Sequence, residues 1–139
     1  MKKRVLFLCT GNSCRSQMAE GFLKYLGQDK FETYSAGVDP VEINPLAIKV
    51  MQELDLDISG QRAKSIDEFL NQDFDYLITV CDKAKASCPI FSGEHKRIHW
   101  DLEDPALASG DQEEKLEVFR KTRDQIKNNV EKLILWLKT

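Results

Sequence analysis

The sequence predicts an α/β protein, a single domain with a four-stranded, mainly parallel sheet flanked by helices. Three observations predict it. Val5-Leu6-Phe7-Leu8 and Tyr76-Leu77-Ile78-Thr79-Val80 are apolar runs of strand length, the second rich in β-branched residues. Strand-like stretches alternate along the chain with amphipathic stretches of helical period, the pattern of parallel strands joined by helical crossovers. The 139 residues, 42% hydrophobic and 31% charged, suffice for one domain over 1–139 with a full core.

In chain order, Lys3 to Leu8 forms the first expected strand. Ser16 to about Leu26 forms the first helix, closed by Gly27, with Met18, Phe22 and Tyr25-Leu26 on its core face. Phe31 to Ser35 alternates like a short strand and stops at Ala36-Gly37. Asn44-Pro45 reads as an N-cap with proline in the first turn, and its helix would bury Leu46, Ile48, Val50, Met51 and Leu54. Ser65-Ile66-Asp67-Glu68 has the capping-box pattern and opens a short helix ending near Asn71. Tyr76 to Val80 is the third strand, with Cys81 at its C-terminal end. Pro89, Ser92 and Gly93 mark 81–93 as a loop, with a turn of helix allowed over 82–86. Arg97 to Trp100 is the fourth strand and Asp101 to Asp111 another loop. From about Gln112 one long amphipathic helix runs through Phe119, Ile126, Val130, Leu133, Ile134 and Leu137.

Composition excludes several function classes. A net charge of −3 argues against a general polyanion-binding surface, so nucleic acid and membrane are not expected partners. No apolar run approaches the ~18 residues of a membrane helix. The basic start Met1-Lys2-Lys3-Arg4 precedes only a short apolar run, Val5 to Leu8, too short for a signal-peptide core, so the protein is expected to be cytoplasmic. In a reducing compartment the cysteines at 9, 14, 81 and 88 point to catalysis, metal or burial. Their spacings of five and seven positions, with only His95 and His99 beyond, do not suit zinc pairs, and no metal is expected.

Parallel sheets bind ligands beyond the carboxyl ends of their strands. Cys9 follows the first strand, Cys81 the third, and Asp101 to Asp104 the fourth, so three chemical loops would converge on one edge. Cys9-Thr10-Gly11-Asn12-Ser13-Cys14-Arg15-Ser16 carries a thiol and a guanidinium at the ends of a loop entering a helix. Backbone N–H groups of Thr10 through Arg15, the helix dipole and the Arg15 charge all favour an anion there, and a thiol at the base would lose its proton more easily. Gly11 allows close approach of backbone, and Asn12 tolerates left-handed geometry. Ser16 can donate its hydroxyl hydrogen to a Cys9 thiolate, and Cys14 reads as a small buried residue supporting the cradle.

The Cys-x5-Arg-Ser string just after the first strand resembles that of the low-molecular-weight protein tyrosine phosphatase superfamily, whose fold is flavodoxin-like. The resemblance implies a Cys9 nucleophile, an oxyanion cradle over Thr10 to Arg15, and Asp104, in Asp104-Pro105, as general acid. Cys81-Asp82-Lys83-Ala84-Lys85-Ala86-Ser87-Cys88-Pro89, with His99-Trp100 beyond, is similar to the redox segment of thioredoxin-coupled arsenate reductases within that superfamily. That branch implies arsenate as substrate, a Cys9/Cys81/Cys88 disulfide relay, thioredoxin as external reductant, no bound cofactor, and a monomer serving arsenic detoxification. The alternatives are a phosphotyrosine phosphatase using Cys9, Arg15 and Asp104, and a non-enzymatic oxyanion or thiol sensor. Against the phosphatase branch, Gln17 stands where proline is usual and Ala106-Leu107 where tyrosines are. Some relatives hold a potassium ion through positions matched by Asn12, Glu20 and Ser35, but the remaining two positions are Arg62 and Lys64. Cationic side chains cannot ligate a cation, so Lys64 is expected to place its ammonium where the ion would lie.

Overall fold

The computed structural model describes residues 2–81, 84 and 95–137. Four strands, β1 (Lys3–Cys9), β2 (Phe31–Gly37), β3 (Tyr76–Thr79) and β4 (Lys96–His99), form one parallel sheet in the order β2-β1-β3-β4. Among the described residues three helices, α1 (Arg15–Gly27), α2 (Pro45–Gln52) and α3 (Gln112–Leu137), flank it. α1 packs on β2 and α3, and α2 packs on α3. Val5 to Leu8 are wholly buried because a central parallel strand is covered on both faces, which is why this run is continuously apolar rather than alternating.

β1 is followed in the sheet by β2 on one side and β3 on the other. The chain therefore reverses direction across the sheet between β1 and β3, and the crevice at their carboxyl ends is where such sheets take ligands. The register Leu8↔Thr79 sets Cys9 at the end of β1 beside the Val80-Cys81 end of β3.

Local signals are met where they are satisfied within a turn. The Asn44 side chain accepts the Leu46 N–H at 2.9 Å, capping α2 with Pro45 in its first turn. At Ser65 the side chain accepts from the Asp67 N–H, and the Glu68 carboxylate is shared between Arg62 and the Ser65 backbone N–H. The element there is a 3-10 turn, Ile66–Phe69, rather than a helix to Asn71. A complete box stands instead at Asp111 and Glu114, ahead of α3. β1 and β2 run to Cys9 and Gly37, past their expected ends, because they pair along their full length. β4 ends one residue early, at His99.

Two expected core residues lie outside the core. Tyr25 is 60% exposed on α1 while Met18 and Phe22 of the same helix are buried, because α3 covers only part of the helix. Leu54 lies beyond the end of α2 and faces outward; Ala47, Val50 and Met51 form the buried face, with Leu46 and Ile48 half-buried. Among the described residues no helix is long and apolar enough to cross a membrane.

Candidate active site

The loop between β1 and α1 is held with its carbonyls turned outward. The Cys9, Thr10, Gly11 and Ser13 oxygens accept the N–H groups of Val38, Asp39, Val41 and Asn44 at 3.2, 2.9, 2.9 and 3.0 Å. The Asn12 oxygen accepts from the Gln17 side chain at 3.0 Å, and the Cys14 oxygen from the Met18 N–H at 2.9 Å. With the carbonyls committed to the segment after β2 and to α1, successive peptide N–H groups are left to the inner side, the arrangement an anion nest needs. Asn12 takes φ 50 to make this turn. α1 begins at Arg15 without a side-chain cap, so its first N–H groups and its positive dipole end face the same hollow.

Cys9 lies at the base of the loop, buried. Its sulfur is 2.8 Å from Ser16 Oγ and receives the Asn12 backbone N–H at 3.1 Å. The direction of the Ser16 bond follows from its neighbours. The Asn12 side-chain oxygen must face the Lys64 backbone N–H, which can only donate, at 2.8 Å. The Asn12 NH2 then donates to Ser16 Oγ at 2.8 Å and Ser35 Oγ at 2.9 Å, leaving the Ser16 proton for Cys9. Burial nevertheless pushes the Cys9 thiol up from its ordinary value, against Ser16, the Asn12 N–H and the Arg15 charge. The expectation of an easily lost proton is corrected to this extent: the donors are in place, but desolvation opposes them.

Arg15 is 8% exposed. Its Nη1 donates to the Leu102 and Val80 carbonyls at 2.9 and 3.3 Å, and its Nη2 lies 3.7 Å from Asp104 Oδ2. One guanidinium thus ties the loops after β1, β3 and β4 together. Asp104 accepts the Ala106 N–H at 3.0 Å, capping the short turn Pro105–Leu107, and its carboxylate is one-third exposed. Cys81 is buried at the same edge, 3.1 Å from the Thr10 hydroxyl, and its sulfur receives the Ala84 N–H at 3.4 Å. Cys14 is also buried, its thiol pushed up to about 11 mainly by desolvation, with Ser13 Oγ at 3.5 Å. Cys9, Cys14 and Cys81 are free thiols; Cys88 and the residues expected to form a loop around it, 82–83 and 85–94, lie outside the described residues.

The sequence model of the low molecular weight phosphotyrosine protein phosphatases matches residues 4–139, which include the loop, Arg15 and Asp104. The chain belongs to this family. A relative named arsenate reductase, from Halalkalibacterium halodurans, is 50% identical over 126 residues, 90% of each chain. A solved structure described as an arsenate reductase in the phosphate binding state is 40% identical with TM-score 0.78, over 96% of this chain and 97% of that one. A low molecular weight protein tyrosine phosphatase from T. tengcongensis is 32% identical with TM-score 0.75, over 96% and 98%.

In this family member the loop rests on a polar network that local sequence did not reveal. Gln17 donates to Asn12 Oδ1 and to the Arg62 carbonyl, at 3.0 and 2.9 Å, and Gln61 donates back to Gln17. Gly37 touches the loop from β2: a Cβ there would lie 2.6 Å from the Thr10 oxygen and 2.8 Å from the Asn12 nitrogen. Its sequence signal was only that of a strand stop. Behind Asn12, Ser35 donates to Glu20 Oε1, and Lys64 Nζ lies 3.5 Å from that oxygen, 3.5 Å from Ser35 Oγ and 2.8 Å from the Arg62 carbonyl. These residues do not fit a potassium ion. The Arg62 side chain pairs with Glu68, Lys64 faces Glu20, and Asn12 turns its NH2, a donor, toward Ser35.

Proposed function

We propose that the protein reduces arsenate to arsenite, using Cys9, Cys81 and Cys88 in turn. The observation that carries this reading is the second buried thiol at the loop: Cys81, held on the hydroxyl of the residue next to Cys9. Hydrolysis of a phosphocysteine needs only one thiol and a water; a second thiol beside the first suits a step in which sulfur attacks sulfur. The relative from Halalkalibacterium halodurans, an arsenate reductase by name, supports the same substrate.

In this scheme arsenate lies on the inward N–H groups of Thr10 to Arg15 and on the Arg15 guanidinium. The Cys9 thiolate attacks arsenic; one As–O bond breaks, and Asp104 protonates the leaving oxygen, giving a Cys9–S–As(V) adduct and water. The Cys81 thiolate then attacks Cys9 Sγ. The S–As bond breaks with its electron pair passing to arsenic, so arsenic becomes As(III), arsenite leaves, and a Cys9–Cys81 disulfide remains. Cys88 attacks Cys81 Sγ, forming Cys81–Cys88 and returning Cys9 as thiolate. Thioredoxin, an external dithiol, reduces that disulfide. All electrons come from thiols, so no bound cofactor enters, and the cycle belongs in a reducing compartment, with the protein a cytoplasmic monomer.

The test is arsenate-dependent NADPH oxidation in the presence of thioredoxin and thioredoxin reductase. Multiple turnover is expected in wild type and in Cys14→Ser, and none in Cys9→Ser, Cys81→Ser or Cys88→Ser. Full turnover of Cys81→Ser or Cys88→Ser with thioredoxin as sole reductant would refute the relay. Hydrolysis of p-nitrophenyl phosphate at ordinary enzyme rates, without arsenate turnover, would establish the phosphatase reading instead; stoichiometric oxidation without turnover would establish the sensor.

A further inference from the structure

Glu20 places a carboxylate inside the protein, its side chain only 4% exposed, behind the loop that holds Cys9. A buried carboxylate requires compensating charge and hydrogen bonds. Lys24 supplies one partner, on Oε2, but from a half-exposed side chain. The other oxygen, Oε1, has the Ser35 hydroxyl and the Lys64 ammonium, whose side chain is 11% exposed.

The ammonium is surrounded as a bare cation would be. A carboxylate, a hydroxyl and a carbonyl oxygen, from Glu20, Ser35 and Arg62, lie 3.5, 3.5 and 2.8 Å from Nζ. This is an oxygen set of the kind hard cations take. Lys64 is also anchored by its backbone, on both sides of the cradle: its N–H bonds Asn12 Oδ1 at 2.8 Å, and its carbonyl accepts the Gly37 N–H at 2.8 Å. From the ammonium an unbroken chain leads to the nucleophile. Nζ faces Glu20 and Ser35, Ser35 accepts from the Asn12 NH2, that NH2 also donates to Ser16, and Ser16 donates to Cys9.

We propose that Lys64 is a tethered cation, a positioning residue that takes the place of a dissociable monovalent ion and holds the Glu20-Ser35-Asn12-Ser16 chain for Cys9. A free ion binds and leaves, so a loop supported by one depends on its concentration; a side-chain ammonium is present at unit occupancy at any salt composition. Lys64 also cancels the Glu20 charge, which would otherwise oppose a thiolate at Cys9.

Two readouts test this, and one is independent of the arsenate reading. The first is the rate of Cys9 alkylation by iodoacetamide, located by peptide mass spectrometry; it reports the thiolate whatever the substrate. The second is arsenate turnover, which rests on the proposed function. Both are measured in KCl, NaCl and choline chloride at equal ionic strength. Wild type is expected to be indifferent to the cation, and so is Lys64→Arg, which keeps the charge. Lys64→Ala opens the oxygen-lined position, and its alkylation rate is expected to fall about tenfold, with potassium or sodium restoring part of it and choline none. Lys121→Ala, which removes an exposed lysine on α3, is expected to behave as wild type. A wild type activated specifically by potassium would overturn the proposal. So would Lys64→Ala alkylating at the wild-type rate, or a loss in it that no monovalent metal ion reduces. If alkylation responds as expected while arsenate is not turned over, the proposed function fails and the tethered cation stands.

Discussion

Replacing Gly37 by alanine probes whether the cradle depends on backbone placed from β2. The added methyl would sit 2.6 Å from the Thr10 oxygen, 2.8 Å from the Asn12 nitrogen and 3.0 Å from the Asn12 Cβ. Comfortable carbon contacts begin near ~3.5 Å, so the loop backbone must retreat by roughly 0.7–0.9 Å. The atoms that must move are committed elsewhere: the Thr10 oxygen bonds Asp39 at 2.9 Å and the Asn12 N–H bonds Cys9 Sγ at 3.1 Å. Overpacking of this kind costs about 1–3 kcal/mol of stability. The larger consequence is for the oxyanion, since a displacement approaching 1 Å can cost about 10²-fold in rate. The expected result for Gly37→Ala is a folded protein with a lowered urea midpoint and kcat/KM for arsenate reduced by about 10–100-fold. Gly60→Ala is the control, because nothing lies within 4 Å of a Cβ at that position. If Gly37→Ala retains kcat/KM within about twofold of wild type, the cradle is not set by this contact and the reasoning is refuted.

Three further outcomes are expected. Asp104→Asn keeps an oxygen for the Ala106 N–H, so its melting temperature should match wild type, while the general-acid role proposed for Asp104 requires kcat to fall by about 10²–10⁴-fold; an unchanged kcat would remove Asp104 from the mechanism. Cys14, raised by burial from 9.0 to about 11, has a folded-state pKa above its unfolded one. Its contribution to stability is complete below pH 9 and lost as pH rises toward 11, so urea unfolding of wild type should lose about 2 kcal/mol more than Cys14→Ala across that interval; parallel pH profiles would contradict it. Asn44→Ala removes the acceptor of the Leu46 N–H at the start of α2 and should cost about 1 kcal/mol by chemical denaturation, with Asn44→Asp close to wild type.

Much of the site could be read along the chain because its parts are consecutive. A strand run ending in Cys9, a loop of small residues and an arginine opening a helix sit within fourteen positions of the N-terminus, and β1 to α1 folds as that order requires. The Asn44-Pro45 start is equally local, since the cap bonds a group two residues away. Where a residue had a competing distant partner, local pattern misled. Glu68 is shared between its capping box and Arg62, and Tyr25 kept its helical spacing but lies 60% exposed. Gly37 looked like a strand terminator because the atoms that demand a glycine, in Thr10 and Asn12, come from another strand's end.

The sequence by itself determined the candidate groups: a thiol and a guanidinium at the ends of one loop, an Asp-Pro after the fourth strand, and further cysteines at 81 and 88. Only the tertiary structure decided how they are held. The strand order β2-β1-β3-β4 brings Cys81 to Thr10 and lets Arg15 reach the Val80 and Leu102 carbonyls. It also places Lys64 behind Asn12, 52 positions away in the chain, and against the buried Glu20. The reason is physical. Which groups a loop carries is a property of neighbouring residues, but what desolvates, neutralises and orients them is a property of surfaces that meet only when the sheet and its helices close.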